Sequence, residues 1–426
     1  MRRRSVCILA GLVLAATCLG APAAPVTDPD ETPQAGQAVI LGVTGVWRCH
    51  FALKPPVMRT AGGIEPLTLN SRLTTHAKWL MFDTPMPPAD WMQPAFDDSA
   101  WQRMPVVDPD SPWVGHLALR GRFRVDDPAK ATGLKLSVHY RGGVVVWLNG
   151  EEIARGHVKP PAVRSGTGGA GPDALADDYA EGKHRDVRVL EDVSLPTSKL
   201  RRGTNVLAIA VHRSATPASA IKQVARNDTI EGGTCGVVKV RLTAPAGSAV
   251  TPNVTRPGGL QVWNSSAVAS DFDVEFGDPL ETVGPVRIVA PRGGTGSGKV
   301  VVGCDQPIKG LVAAAGDLVM KTGPRIPASK VLVRYAMPTS GEAGANQTYT
   351  VNPARFDALE EAPPEEVPVR AHQQSWRGRK VDDEPASVFG AVCPVWVTVN
   401  VPPDAPAGDY AGELIIRTEG EKRFAV

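Results

Sequence analysis

The sequence predicts an all-β chain built as two successive sandwiches, and three observations predict it. Apolar and polar residues alternate with a two-residue period in run after run, as half-buried strands require. The 43 Gly and 39 Pro fall mostly between those runs, where they punctuate strands. At 426 residues, of which 42% are hydrophobic, the chain is too long for one sandwich and has apolar material for two cores.

The N-terminus reads as a secretory signal over residues 1–23. Arg2-Arg3-Arg4 is the positive region, Val6–Leu19 the apolar stretch and Ala21-Pro22-Ala23 a small-x-small cleavage site. The apolar part is too short to span a bilayer, and no later run is longer, so no transmembrane segment is expected. Acylation of Cys18, as in a lipoprotein, is the alternative use of the same leader. The chain is therefore expected to be exported, whether periplasmic, secreted or at the cell surface. Losing three arginines with the leader takes the formal charge from +2 to −1. A near-neutral chain gives no footing for a nucleic-acid partner.

Residues 24–37 are a polar, Pro-containing leader without a strand pattern. The first sandwich is expected over 38–243. It begins with a β-like segment from Ala38 to Pro66, then the aromatic, Met- and Pro-rich stretch Trp79–Pro105, which matches no regular element. Within that stretch Phe96–Trp101 reads as a single turn, capped by Asp97 or Asp98, with Phe96 and Trp101 inward. Leu117, Leu119, Gly121, Phe123 and Val125 share one strand face, which puts Arg120, Arg122 and Arg124 on the outer one.

The most informative run is Leu134–Arg155. Leu134, Leu136, Val138 and Tyr140 alternate, Arg141-Gly142-Gly143 bends, and Val144–Leu148 is apolar on both faces, as in a central strand. Asn149-Gly150 supplies two positive-φ positions for a tight hairpin, and Glu151–Arg155 returns. The pattern predicts one antiparallel sheet. A Gly/Pro-rich insertion, Gly156–Arg185, follows, then a strand over Val206–His212 and a last one over Cys235–Leu242. Residues 244–259 have linker composition and mark the expected domain boundary. The second sandwich, 260–426, carries β-branched runs at Val286–Ala290, Lys299–Val302, Lys330–Tyr335 and Val395–Val401. A rigid Pro-rich turn then leads into Gly412–Arg417. The sequence stops at Val426 midway through a strand pattern, so the second sandwich is expected to be incomplete at its C-terminus.

Two groups of residues carry a resemblance. Phe96–Trp101, Gly121–Val125, Tyr140–Arg155 and Gly203–Arg213, in that order, resemble the galactose-binding-like jelly-roll domains attached to bacterial secreted glycosidases. Pro394–Ile416 resembles the β-sandwich that precedes the catalytic barrel in bacterial glycosidases acting on N-acetylgalactosamine. The resemblance implies a galactose-binding-like jelly roll followed by an immunoglobulin-like sandwich. It implies an accessory or carbohydrate-binding module of a glycoside-hydrolase-type protein, whose partner is a glycan or a neighbouring catalytic domain. A barrel with paired acids would follow in the family; none lies within this sequence, so no catalytic residue is carried over. An N-terminal portion of a glycoside hydrolase and a structural cell-surface spacer or adhesion protein are the alternatives.

Sugar recognition wants an aromatic face for the C–H side of the ring and carboxylates or amides for its hydroxyls. In the insertion, Tyr179 with Asp177 and Asp178 offers both, and His184 lies nearby; Trp113, in the loop Asp108–Trp113, is a second aromatic candidate. A solvated loop, or one docked on a neighbouring domain, would show the same residues. Trp147 and Trp396 sit within strand patterns and are expected in cores.

Other motifs point away from chemistry. Gly293–Lys299 fits the phosphate-loop spacing, but Val300 stands where Ser or Thr would hold magnesium, and a strand follows instead of a helix, so no nucleotide is expected. Asp271, Asp273, Glu275 and Asp278 would suit calcium with added carbonyls, but no calcium loop accompanies them, and an exposed polar strand face is the expectation. The eight histidines show no metal-ligand spacing, and no G-x-S-x-G elbow occurs. No cofactor is expected. Cys7 and Cys18 lie in the leader; Cys49, Cys235, Cys304 and Cys393 remain. Bridges Cys49–Cys235 and Cys304–Cys393, each with an entropic ceiling of about 4–5 kcal/mol, and four buried thiols are both open. The sequons at Asn227, Asn253, Asn264 and Asn346 matter only in a eukaryotic secretory host.

Overall fold

The computed structural model describes residues 36–425 apart from 44, 68, 70–82, 105–107, 161–173, 225–226, 255, 274, 322, 339–355, 370–374, 377–378, 381–389 and 420–422. The signal, residues 24–35 of the polar leader, part of the insertion and Asn346 lie outside the described residues, and the last residue of that leader, Gln37, already belongs to a strand. The chain is all-β. Among the described residues no helix is long and apolar enough to cross a membrane. Two compact units form: one holds the described residues up to Pro257 and also Gly277–Thr282, the other holds those of Gly258–Phe276 and from Val283 onward.

The first unit contains β1 (Gln37–Leu41), β2 (Trp47–Leu53), the hairpin β3 (Val57–Thr60) and β4 (Gly63–Pro66), β5 (Gln102–Met104) and β6 (Val114–Val125). There follow β7 (Lys135–Arg141), β8 (Gly143–Leu148), β9 (Glu151–Gly156), β10 (Arg188–Ser194) and β11 (Gly203–His212). The hairpin β12 (Ile221–Val224) and β13 (Asn227–Ile230), β14 (Gly236–Pro245) and β15 (Val250–Thr251) complete it. The order β1-β14-β7-β10 makes a four-stranded sheet, and β5-β2-β6-β11-β8-β9, with β15 beside β6, a seven-stranded one. Strand pairing thus continues into the stretch 244–259, through β14 and β15.

The core between these sheets holds the predicted alternating residues: Leu117, Leu119, Phe123 and Val125 of β6, Leu136, Val138 and Tyr140 of β7, and Leu207, Ile209 and Val211 of β11. Gly121 fits that series because Trp47 fills its side-chain space; a Cβ there would lie 2.7 Å from the indole. Asn149 and Gly150 take φ of 53° and 88°, closing the β8–β9 hairpin as expected. The single-sheet reading of Leu134–Arg155 is corrected: β7 and β8 lie in different sheets, and Gly142 carries the chain between them.

The outer face of the seven-stranded sheet is not solvated. Trp91, Trp101 and Trp147 are buried on it with Ala118, Val145, Ala208 and Ala210, and the segment 83–101 lies over it. Trp91 meets Trp147 edge-on, with centroids 5.6 Å apart. The turn at Phe96–Trp101 forms: Asp97 accepts from Ser99 N at 3.0 Å, and Trp101 N donates to Asp98 O at 2.9 Å. This covering layer overturns the outward placement of Arg120 and Arg122. Arg120 is fully buried, and Arg122 keeps only 12% of its side-chain exposure. Arg124, beyond the edge of the layer, is exposed and pairs with Asp126.

The guanidiniums of Arg48, Arg120 and Arg122 need acids, and the fold supplies them. Asp98 accepts from Arg120 Nε at 2.6 Å and from Arg122 Nη2 at 2.6 and 2.7 Å. Glu281 accepts from Arg48 Nε and Nη2 at 2.9 and 2.7 Å and from Arg122 Nη1 at 2.7 Å. Burial pushes the Glu281 carboxyl up, but the bidentate Arg48 and the charges of Arg103 and Arg122 outweigh it and hold it below the usual range. His116 and His212 stack edge-on in the same face, 4.8 Å apart. Burial holds His212 at about 4 and His116 well below its ordinary value, so both pack as neutral rings.

The second unit contains β16 (Gln261–Ser265), β17 (Thr295–Cys304), β18 (Ile308–Lys309), β19 (Val312–Ala315), β20 (Leu318–Val319), β21 (Arg325–Ile326) and β22 (Val331–Met337). It continues with β23 (Ala358–Glu360), β24 (Glu366–Val367), β25 (Ser375–Trp376), β26 (Arg379–Lys380), β27 (Ala391–Asn400), β28 (Leu414–Arg417) and β29 (Arg423–Ala425). A five-stranded sheet, β16-β17-β27-β22-β23, and a three-stranded sheet, β19-β28-β29, hold a core of Val300, Val302, Val395, Leu414 and Ile416. Tyr335 ties the two, its hydroxyl accepting from Ala313 N at 2.8 Å. Val286–Ala290 pairs in no sheet, which corrects the strand expected there. It packs on the glycine face of β17, where a Cβ on Gly298 would lie 2.4 Å from Val286.

All four described cysteines are free thiols, three of them buried. Burial pushes Cys235 and Cys393 up to about 12 and Cys49 higher still. The leaderless chain, denatured without reductant, should take up one alkyl group at each of these four cysteines. The native chain should react at Cys304 alone. An uptake of none after denaturation would mean two bridges.

Candidate functional site

The sequence candidates gather on loops at one end of the first unit's sandwich, around the Gly142 crossover. Gly142 has φ +89° and no room for a side chain: a Cβ would lie 2.1 Å from His212 O and 2.5 Å from Thr234 O. Its N–H donates to Tyr179 Oη at 2.8 Å, and its carbonyl accepts from Arg188 Nη1 at 2.7 Å. Arg188, the first residue of β10, also donates to the carbonyls of Asp177 and Asp178 at 3.0 and 2.9 Å. Its guanidinium lies 3.8 Å over the Tyr179 ring. Ser214 Oγ donates to Asp177 O at 2.7 Å, and Asp177 N donates to His157 O at 2.8 Å. Asp177 and Asp178 are thus strapped down through their backbone and Tyr179 through its hydroxyl and ring, which leaves the side chains of Asp177 and Asp178 exposed.

Electrostatics follow from this packing. Burial raises the Tyr179 phenol above its ordinary value, opposed by the Gly142 N–H and by Arg188. Asp177 is exposed, while Asp178 pairs with Arg59 of β3, whose Nη2 donates to Oδ1 at 3.2 Å. His157, at φ +57°, turns Nδ1 onto Tyr140 Oη at 2.9 Å. Burial and then the Arg188 charge lower His157 below its ordinary value, so it stands at the rim as a neutral imidazole near pH 7.

His184 and Trp113 belong to the adjoining loops. His184 is buried, with Nε2 2.9 Å from Glu231 O. Trp113 is half-buried, and its carbonyl accepts from Lys54 N at 2.8 Å. Arg185 Nη2 donates to Asp110 at 3.0 Å, and Asp110 accepts from Gly233 N at 3.1 Å. Arg141 joins the two groups: it pairs with Asp108 and donates to Arg185 O at 3.3 Å. Asp177, Asp178 and Tyr179 therefore surround Arg188, and His184 and Trp113 lie across Arg141 from them.

The rim offers an exposed carboxylate at Asp177, a second at Asp178 shared with Arg59, a neutral imidazole at His157 and the half-buried Tyr179. Such groups bind hydroxyls. Arg188 and His157 were not singled out from the sequence: a lone Arg opening a strand and a lone His after one carry no local signal. Among the described residues no group of three or more His, Cys, Asp or Glu is placed to hold a metal.

Two other motifs have structural roles. Lys299 of the Gly293–Lys299 motif is buried on β17 and paired with Asp271. The described residues of 269–280 form no strand, and Asp271, Asp273 and Asp278 are buried, which corrects the exposed strand face expected there. Asn253 is likewise buried, donating to Arg122 O and Asp278 at 3.0 Å each.

No protein-family model matches the sequence, and no curated protein does. Among solved structures the chain is similar to a family 123 glycoside hydrolase of Clostridium perfringens, at 17% identity and TM-score 0.26, over 39% of this chain and 26% of that one. It is similar to a glycosyl hydrolase family 2 member of Bacteroides cellulosilyticus, at 12% identity and TM-score 0.24, over 92% of this chain and 36% of that one. It is also similar to a beta-glucuronidase of Bifidobacterium dentium, at 11% identity and TM-score 0.25, over 91% of this chain and 46% of that one. The chain spans less than half the length of each.

Proposed function

We propose that this chain is an exported, non-catalytic carbohydrate-binding or accessory module of a glycoside-hydrolase-type protein, its first unit a galactose-binding-like jelly roll. The observation that supports the reading is the rim itself. At one end of the sandwich the Arg188 guanidinium holds the carbonyls of Asp177 and Asp178, and the Gly142 N–H holds the Tyr179 hydroxyl, so an outward polar surface is pre-organised. The order of the jelly-roll motifs in the sequence supports the carbohydrate class. The leader, with Arg2–Arg4 and its short apolar run, supports export.

A glycan array and a titration with galactose and N-acetylgalactosamine test it. Binding at millimolar sugar is expected, as is about a tenfold loss with Asp177→Ala, the effect of deleting one charge-assisted hydrogen bond of about 1.5–3 kcal/mol at its low end. No binding by the folded chain would leave the spacer reading. The likeness of Pro394–Ile416 to a sandwich that precedes a catalytic barrel supports a second reading, the N-terminal portion of a glycoside hydrolase. An open reading frame encoding a barrel beyond the codon for Val426 would establish it.

A further inference from the structure

On the outer face of the five-stranded sheet, Ser265, Lys299 and Trp396 stand directly opposite one another on β16, β17 and β27. Asp271, from the loop after β16, closes over this row. Lys299 Nζ lies 2.5 Å from Asp271 Oδ2, with side-chain exposures of 2% and 4%. Nζ also donates to Ala269 O at 2.5 Å and lies 5.2 Å from the centre of the Trp396 ring. Ser265 Oγ donates to the other carboxyl oxygen, Oδ1, at 2.5 Å.

A lone ion pair is an expensive thing to bury, and this one gains little from water. The amine is held against the carboxyl group: the Ala269 carbonyl fixes Nζ beside Oδ2, and the Ser265 hydroxyl polarises Oδ1. Such pre-positioning is worth a large effective concentration.

We propose that Lys299 and Asp271 condense to an intramolecular amide. A proton passes from Nζ to Oδ2, giving the free amine and the carboxylic acid. Nζ then attacks Cγ, and the charge that develops on Oδ1 is met by Ser265 Oγ–H. The Nζ–Cγ bond forms, the Cγ–Oδ2 bond breaks, and Oδ2 leaves as water with the acid proton and one proton from the amine. No oxidant or co-reactant is needed. The loop so closed contains Gly277–Thr282, the segment that belongs to the first unit.

Mass spectrometry of the full chain under denaturing conditions tests the proposal. The expected mass is lower than that of the sequence by one water. A tryptic digest should give a branched peptide joining the segments around Asp271 and Lys299, with Lys299 uncleaved. Lys299→Arg should restore the full mass, and Asp271→Asn should close the same bond with loss of ammonia instead of water. An unmodified wild-type mass, or a water loss confined to one linear peptide as from an aspartyl succinimide, would overturn it. Neither result depends on the variants folding, and neither bears on sugar binding at the rim.

Discussion

Replacing Asp98 with alanine should destabilise the first unit by about 3–5 kcal/mol, the range for removing one partner of a buried ion pair. Asp98 accepts three bonds of 2.6–2.7 Å from Arg120 and Arg122. Without it, Arg122 still reaches Glu281, but among the described residues Arg120 keeps as hydrogen-bond acceptors only the carbonyls of Trp91 and Gln93 for a fully buried charge. Those carbonyls belong to the covering segment 83–101, so the loss should loosen that segment first. Tryptophan emission from Trp91 and Trp101 should move to the red at lower denaturant than in the parent chain. Adding Arg120→Met should recover part of the loss, because the orphaned charge goes with its acid. A cost below about 1 kcal/mol would place the two arginines in water instead.

Gly142→Ala should be nearly as damaging, and it should abolish sugar binding as well as stability. The methyl group would meet two backbone oxygens, His212 O and Thr234 O, neither on a flexible side chain. Positive φ alone costs a non-Gly residue about 1–3 kcal/mol, and displacing the crossover adds to it. Gly142 is also the shared partner of Tyr179 and Arg188, so its movement releases the segment 177–179. Gly182→Ala is the control: φ is +74° there, but nothing lies within 4 Å of the new methyl. It should cost about 1 kcal/mol by strain alone. Equal midpoints for the two variants would show that the crossover is not the tight point described.

Local pattern fixed what was local. Val144–Leu148, the Asn149-Gly150 turn and the alternation in β6, β7 and β11 could be read directly, because strand period and turn chemistry are properties of neighbouring residues. The change of sheet at Gly142 could not, since a Gly-Gly bend serves equally for a hairpin or a crossover. Arg120 and Arg122 looked exposed because the period of two marks a face without saying what covers it. The cover comes from residues 83–101 and one acid from Glu281, both far away in sequence. Asp271 and Lys299 misled in the same way: each fits a ligand motif locally, and their pairing depends on a loop closing over a strand. At the candidate rim the sequence pointed to Asp177, Asp178 and Tyr179 by residue type, but Arg188, which holds all three, carries no motif.

Hydrogen exchange of the full chain, with and without saturating galactose or N-acetylgalactosamine, tests the functional account most directly. The expected result is slower exchange confined to amides of 108–113, 141–143 and 174–188. Protection located instead in the second unit, or on the outer face of the four-stranded sheet, would contradict it.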